Sequence, residues 1–249
     1  MDKAVEALGH YKAHNQHMHM GPEAHVLNFP VAGHTLMNVV AFVTDPNDWS
    51  SQGKMTAPAT RDEVVTAFAK WGPAVRAITE LLPDELDKWG IFDTYDYPAS
   101  TYARGRVCLA GDAAHASSPH HGGGAGIGVE DALTLVSLLD QVTTTLRTSS
   151  AAKATALTAA FAAYDPVRRE RTQWFVESSR GVCETYEWND PKCGNDPEKC
   201  YAEIRWRSHK LWHFDLDYMT GEAGEGYKRL LAEAALQDAP TADLDSSTH

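Results

Sequence analysis

The stretch GDAAHASSPHHGGGAGIGVEDA, Gly111 to Ala132, holds the residues of this chain best suited to chemistry. Asp112 closes a short apolar run. An ionised carboxylate only accepts hydrogen bonds, so at the C-terminal end of a strand in an α/β layout it would read the hydroxyls of a polyol. Five of the seven residues from Gly122 to Gly128 are glycine. Without Cβ atoms, such a segment lets a flat ring system lie against backbone N–H groups, and a helix starting behind it adds partial positive charge. A planar ligand able to carry negative charge fits these features. A tight turn into a helix would also use glycines, so the surrounding residues carry the weight.

The helix-dipole contribution is modest, about 0.3–1 kcal/mol when exposed and about 2 kcal/mol when partly buried, but it acts on one redox state more than another and would bias a potential. A reduced flavin, anionic at its pyrimidine end, suits the tract better than a phosphate, because the chain has no G-x-x-x-x-G-K-[ST] pattern. His120 and His121 abut the glycines, where a ring hydroxyl could be deprotonated, and the choice between them is open. His115 reads as a local packing and hydrogen-bonding residue rather than a proton-transfer group. Asp93, Tyr95 and Tyr97 in FDTYDYP could reach the same crevice or simply end a strand in a turn.

Other clusters offer less. His10, His14 and His17, followed by His19 and His25, raise a metal site, but no Cys or Glu stands at motif spacing and there is no H-E-x-x-H. No metal is therefore expected, and a metal-dependent hydrolase is a distant alternative. Trp206, Trp212 and Phe214 read as core or docking aromatics. No G-x-S-x-G supports serine hydrolysis.

The elements that must position these residues can be read from pattern. VLNFPVAGHTLMNVVAFV, Val26 to Val43, has two apolar runs parted by AGHT and predicts a β-hairpin. DPNDWSSQGKMTAP reads as an exposed loop. Thr60 is a candidate N-cap with Glu63 three residues on, and Gly72-Pro73 divides the helical stretch after it into two short helices. GRVCLAGD, Gly105 to Asp112, predicts a short strand ending in a turn. A helix is expected from near Val129, with Val129, Ala132, Leu133, Val136 and Leu139 at three- and four-residue steps and with Glu130 and Asp131 in its first turn. A second long helix is expected from about Ala151 to Arg180, interrupted at Asp165-Pro166 and followed by a basic patch of Arg168, Arg169 and Arg171. The end of the chain, DAPTADLDSSTH, reads as a disordered acidic tail.

Composition bounds the partners. Of 249 residues, 22 are Lys or Arg and 34 Asp or Glu, a formal charge of −12, which argues against nucleic acid or an anionic membrane surface. No apolar run is long enough to span a membrane and the N-terminus lacks a signal-peptide plan, so a cytoplasmic location is expected. Cys108, Cys183, Cys193 and Cys200 are too scattered for a disulfide framework, although a bridge between Cys193 and Cys200 is conceivable.

The segment GRVCLAGDAAHASSPHHGGGAGIGVEDALTLVSLL closely resembles the second flavin-contacting motif of the group A FAD-dependent monooxygenases, particularly the fungal salicylate hydroxylase-like branch. MDKAVEALG, GPEAHVLNFPV and YDPVRRERTQWFVESSR also resemble later parts of such enzymes. The resemblance implies that Asp112 hydrogen-bonds the ribityl or adjacent part of FAD. Gly122, Gly123, Gly124, Ala125 and Gly126 would face the isoalloxazine, and Pro119 would lie beside its reactive edge. Such enzymes use NAD(P)H and O2 to hydroxylate an activated aromatic ring, the cofactor carrying the hard step and the protein supplying position and dryness.

The implied fold class is α/β (α+β): a partial FAD/NAD(P)-binding Rossmann-like fold with an antiparallel substrate-domain sheet and long C-terminal helices. Residues 1–97 would form the substrate sheet region, 98–180 the flavin-contacting part, 181–235 a helical aromatic region and 236–249 a disordered tail. No G-x-G-x-x-G follows a strand anywhere, so the chain resembles the C-terminal part of such an enzyme. Loss of the other half would expose sheet edge and apolar surface. The expected partners are a small aromatic substrate and a separate N-terminal half, with no nucleic acid and no membrane. The alternative is a non-catalytic remnant or interaction protein unable to bind FAD alone.

Overall fold

On either side of the AGHT tetrad, strands β2 (Ala24–Val31) and β3 (Leu36–Val43) pair antiparallel with Val31 opposite Leu36. The computed structural model that shows this hairpin describes residues 1–49 and 53–237. The chain divides into two compact units, one formed by Met1–Phe92 with Arg180–Ser208 and the other by Asp93–Ser179 with residues 209–237.

In the first unit, helices α1 (Asp2–Leu8) and α2 (His10–Ala13) precede strand β1 (His17–Gly21), which adds to the free edge of β2 with His17 opposite Asn28. Alternation along the strands puts Ala24 and Val26 of β2 on one face with Val39 and Ala41 of β3. That face packs on Val64, Phe68, Trp71 and Val75. The last four residues come from the segment holding α3 (Arg61–Ala67) and α4 (Pro73–Glu80), split at Gly72-Pro73 as the sequence predicts. The Thr60 hydroxyl accepts the Glu63 N–H at 3.3 Å, the expected N-cap. Strands β4 (Thr56–Thr60) and β5 (Glu85–Trp89) form a separate antiparallel pair.

The second unit opens with the two-residue strands β6 (Ala103–Arg104) and β7 (Val107–Cys108), then the short helix α5 (Asp112–His115). Strand therefore covers only two residues of GRVCLAGD, and its partner is antiparallel. Three long helices come after it: α6 (Gly124–Thr148), α7 (Lys153–Tyr186), which runs on into the first unit, and, after α8 (Pro197–Trp212), α9 (Leu216–Gln237). Ala156, Ala160 and Ala163 of α7 are small enough to admit Ala223 and Tyr227 of α9 beside Leu138 and Val142 of α6. A Cβ on Gly226 would sit 3.4 Å from the Ala163 methyl, so this core depends on close helix approach. Its buried phenols are all paired: Tyr102 with Thr172 at 2.7 Å, Tyr164 with the Leu109 carbonyl at 3.2 Å and Tyr227 with Thr145 at 2.9 Å. Burial pushes the Tyr164 phenol well above its usual range.

The mixed α/β (α+β) class with antiparallel sheet and long C-terminal helices is the one expected, but four local expectations need correction. Helix α6 begins at Gly124 rather than near Val129, so most of the glycine tract lies inside its first turns and Glu130 and Asp131 fall in the second. The face it buries is Ile127, Asp131, Thr134, Leu138 and Val142; the apolar stripe Val129, Leu133, Val136 and Leu139 is exposed. Helix α7 passes through Pro166 without interruption. Proline removes one backbone donor there, and the adjacent Asp165 anchors the turn by accepting the Tyr102 N–H, the Thr101 hydroxyl and Arg169 Nε. Finally, Arg168 and Arg171 are buried, not part of a surface patch. All four cysteines are free thiols. The end of the chain and part of the 45–58 loop lie outside the described residues.

Candidate functional site

The glycine segment begins with a 3-10 turn over Pro119–His121, closed by a Gly122 N–H donating to the Pro119 carbonyl at 2.9 Å. Gly122 has φ +63°, a left-handed conformation that a side chain would strain. Gly123 is buried, and a Cβ there would meet Phe175 Cε2 at 3.0 Å and Leu211 Cδ2 at 3.3 Å, so this glycine seats α6 against its own unit. Its neighbours differ. At Gly124 a Cβ would meet only Ser117 Oγ at 3.8 Å, and at Gly122, Gly126 and Gly128 nothing within 4 Å. Gly122, Ala125 and Gly126 are exposed.

The first N–H groups of a helix have no intrahelical acceptor, and here they belong to a 25-residue helix whose opening turn carries almost no side chains. Bare backbone whose first N–H groups have no acceptor among the described residues is the cradle that a flat, electron-rich ring system requires. On this ground the residues present fit a flavin.

Asp112 begins α5, is exposed, and among the described residues its carboxylate has no hydrogen-bond partner. Gly111, immediately before it, has φ +59° and donates its N–H to Asp131 Oδ2 at 2.8 Å. The Asp112 turn is thereby tied to the second turn of α6. Asp131 is the hub of a buried network: His115 Nε2 donates to Oδ2 at 2.6 Å, and Arg168 Nε donates to Oδ1 at 2.7 Å. Arg168 reaches Glu130 through Nη1 at 2.8 Å and the Ile127 carbonyl through Nη2 at 3.0 Å. Arg171 completes it, donating to Glu130 at 3.0 Å and the Leu211 carbonyl at 2.9 Å, with its guanidinium 3.9 Å from the Phe214 ring centroid. One carboxylate and one guanidinium therefore tie the Gly111 turn to the first two turns of α6, at Ile127 and Asp131.

Burial alone would raise the Asp131 pKa, but the His115 hydrogen bond, the Gly111 N–H and Arg168 outweigh it and hold the group at about 2. Because this lies below the ordinary carboxylate value, the contribution to stability is complete above about pH 4 and is lost as pH falls toward 2, on the order of 2 kcal/mol in all. Urea midpoints of wild type and Asp131→Asn are expected to converge between pH 4 and 2. A constant gap would remove the carboxylate from the acid response.

The histidines next to the tract are engaged rather than idle. His120 Nδ1 lies 2.9 Å from Ser118 Oγ, and His121 Nε2 lies 2.9 Å from Ser178 Oγ with its ring stacked on Phe175 at 5.9 Å. Asp93 caps its own turn by accepting the Tyr95 N–H at 3.0 Å, and Tyr97 is exposed. In the first unit, the His10 and His14 rings stack at 4.1 Å and His19 bonds Asn28 at 2.9 Å. His25 is buried against Glu187 at 3.0 Å, and the other Glu187 oxygen takes the Thr44 hydroxyl at 2.6 Å. Among the described residues no three His, Cys, Asp or Glu side chains converge as metal ligands. Trp206 and Trp212 are largely exposed.

Sequence reasoning missed the Asp131–Arg168 pair. Its signal was present in two fragments, an acidic pair in the turn after the glycines and an arginine two residues past Pro166, but nothing local says that they meet.

A family model described as an FAD binding domain matches residues 30–170. The FAD-dependent monooxygenase pigN of Monascus ruber is 55% identical over 231 residues, which is 93% of this chain and 53% of that protein. The salicylate hydroxylase asL1 of Sarocladium schorii is 47% identical over 237 residues, 92% of this chain and 49% of that protein. Among solved structures, a salicylate hydroxylase substrate complex superposes with a TM-score of 0.74 at 34% identity, covering 84% of this chain and 49% of that one. The chain thus spans about half the length of the curated relatives it matches. No described helix is long and apolar enough to cross a membrane.

Proposed function

Because the chain belongs to the FAD-dependent monooxygenase family, we propose that it supplies the flavin-contacting and substrate-side part of an enzyme that hydroxylates a small aromatic molecule, salicylate-like or from secondary metabolism, with NAD(P)H and O2. The observation that carries this reading is the open start of α6, where a Cβ at Gly126 or Gly128 would meet nothing within 4 Å, together with an exposed Asp112 whose carboxylate has no partner among the described residues. When bound, FAD supplies the electron transfer and oxygen activation that no side chain provides.

The chain's own residues then have distinct tasks. Asp112 accepts from ribityl hydroxyls. The N–H groups of Gly124, Ala125 and Gly126 donate to the electron-rich ring, and Gly122 and Gly123 shape the approach. The Pro119 carbonyl accepts the Gly122 N–H and keeps a second lone pair, which would be available to a group at the reacting edge of a bound flavin. His120 and His121, each oriented by a serine hydroxyl, are the candidates to take a proton from a substrate ring hydroxyl.

Gly126→Leu separates cofactor contact from folding. A Cβ there meets nothing within 4 Å and the position is exposed, so the melting temperature should hold while FAD retention falls at least tenfold in the assembly that binds it. Gly123→Leu, which must displace the buried Phe175, should instead lower the melting temperature. Undiminished FAD retention in Gly126→Leu would move the cofactor away from the tract.

A further inference from the structure

We infer that Cys193 and Cys200 form an oxidative modification site, at which hydrogen peroxide converts two thiols to a disulfide that fastens the turn after α7 to the first turn of α8. The inference stands apart from the flavin reading and uses none of the residues assigned to it. Both cysteines lie in the first unit, within Arg180–Ser208. Cys193 is 7% exposed and Cys200 2%, and their thiols are in hydrogen-bond contact with each other. The Cys200 thiol also reaches the Gly194 carbonyl at 3.5 Å, beside the residue that follows Cys193. Local backbone brings the pair together. The Asp190 carbonyl accepts the N–H groups of Cys193 at 3.2 Å and Gly194 at 2.8 Å, and the Asp190 carboxylate accepts the Lys192 N–H at 2.7 Å. Gly194, with φ +50°, turns the chain in a left-handed conformation. Asp196 then donates its N–H to the Cys193 carbonyl at 3.0 Å, and its carboxylate caps α8 by accepting the N–H groups of Glu198 at 3.0 Å and Lys199 at 3.2 Å. Cys200, in the first turn of α8, is thereby returned to Cys193.

Hydrogen peroxide, scarcely larger than water, meets Cys193 first because it is the more exposed of the two. The Cys193 sulfur, as its thiolate, attacks the O–O bond, takes one oxygen as a sulfenic acid and releases hydroxide, which picks up the thiol proton to become water. The Cys200 sulfur then attacks the sulfenic sulfur, the S–S bond forms, and the second oxygen leaves as water with the Cys200 proton. Two thiols thus give up two protons and two electrons while one peroxide becomes two waters. Because the resolving thiol is already in contact, the second step outruns a further peroxide, and a disulfide forms in place of sulfinic acid. Burial pushes both thiols up, followed by the Asp190 charge at Cys193 and the Asp196 charge at Cys200. Little thiolate is therefore present, the first step is slow, and the pair answers sustained rather than brief exposure to peroxide. The bond closes a short ring and removes freedom from the unfolded chain. The turn it secures is held to the substrate-side sheet through Glu187, whose carbonyl accepts the Glu23 N–H at 3.1 Å.

The test treats the reduced full chain with hydrogen peroxide, removes the peroxide, blocks remaining thiols with N-ethylmaleimide in denaturant and digests with trypsin without reductant. Lys192 and Lys199 immediately precede the two cysteines, so cleavage puts them on separate peptides, Cys193–Lys199 and Cys200–Arg205. These peptides are expected joined and released by dithiothreitol, with Cys108 and Cys183 oxidised at least tenfold less. The oxidised chain should melt about 3–8 °C above the reduced one. In Cys200→Ser that rise should vanish, and Cys193 should instead proceed to sulfinic acid. If Cys200→Ser does not fold, the peptide map and melt of the wild-type chain decide by themselves. Free thiols recovered at both positions, sulfinic acid at either in the wild-type chain, or a bridge from either to Cys108 or Cys183 overturns the inference. So does a joined pair with no rise in melting temperature.

Discussion

Asp112→Ala is expected to weaken FAD binding by about a hundredfold or more, while the melting temperature shifts by no more than a degree or two. The carboxylate is exposed and unpartnered among the described residues, so the fold loses nothing substantial with it. Toward FAD it would accept charge-assisted hydrogen bonds from hydroxyls, each worth about 1.5–3 kcal/mol, and two such bonds account for the expected factor. Asp112→Asn keeps one carbonyl acceptor but loses the charge and should fall between alanine and wild type. The measurement is flavin absorbance and equilibrium FAD affinity of the assembly that binds the cofactor. An Asp112→Ala protein that stays yellow at wild-type affinity would refute the assignment.

Arg168→Met is expected to cost about 3–5 kcal/mol of stability, because it strands buried groups on three sides. Asp131 and Glu130 lose their shared cation and the Ile127 carbonyl loses its side-chain donor, all in a region where Arg168 has no solvent exposure. For a domain of this size that corresponds to a melting temperature lower by roughly 6–20 °C. Arg168→Lys should recover only part of the loss, since a single ammonium cannot reproduce a planar fork that meets three acceptors. Loosening the clamp also frees the Gly111 turn through Asp131, so FAD affinity should fall in both variants. A thermal melt of Arg168→Met within 2 °C of wild type would show that the network is dispensable.

These effects mark the boundary between what could be read from the sequence and what could not. The β2–β3 hairpin, the Thr60 cap, the break at Gly72-Pro73 and the presence of helices at α6 and α7 were legible, because each depends on residues within a few positions of one another. Helix α6 starts five residues earlier than its apolar periodicity suggests: glycine has poor helix propensity, but packing of Gly123 on Phe175 and Leu211 stabilises the first turn. Periodicity correctly found the helix but not its buried side. Ile127, Thr134, Leu138 and Val142 compete with Val129, Leu133, Val136 and Leu139 on the opposite side, and only neighbouring helices select between them.

The sequence by itself determined the β2–β3 hairpin, the Thr60 cap, the break at Gly72-Pro73 and the resemblance that placed the chain in its family. Tertiary structure alone decided that Arg168, apparently part of a basic surface, is the buried partner of Asp131, 37 residues away. It also decided which glycines of the Gly122 to Gly128 tract support packing and which present open backbone. The physical reason is that turns, caps and periodicity arise from short-range sterics and hydrogen bonds, whereas the burial of a charge or of an apolar stripe depends on what distant segments bring against it.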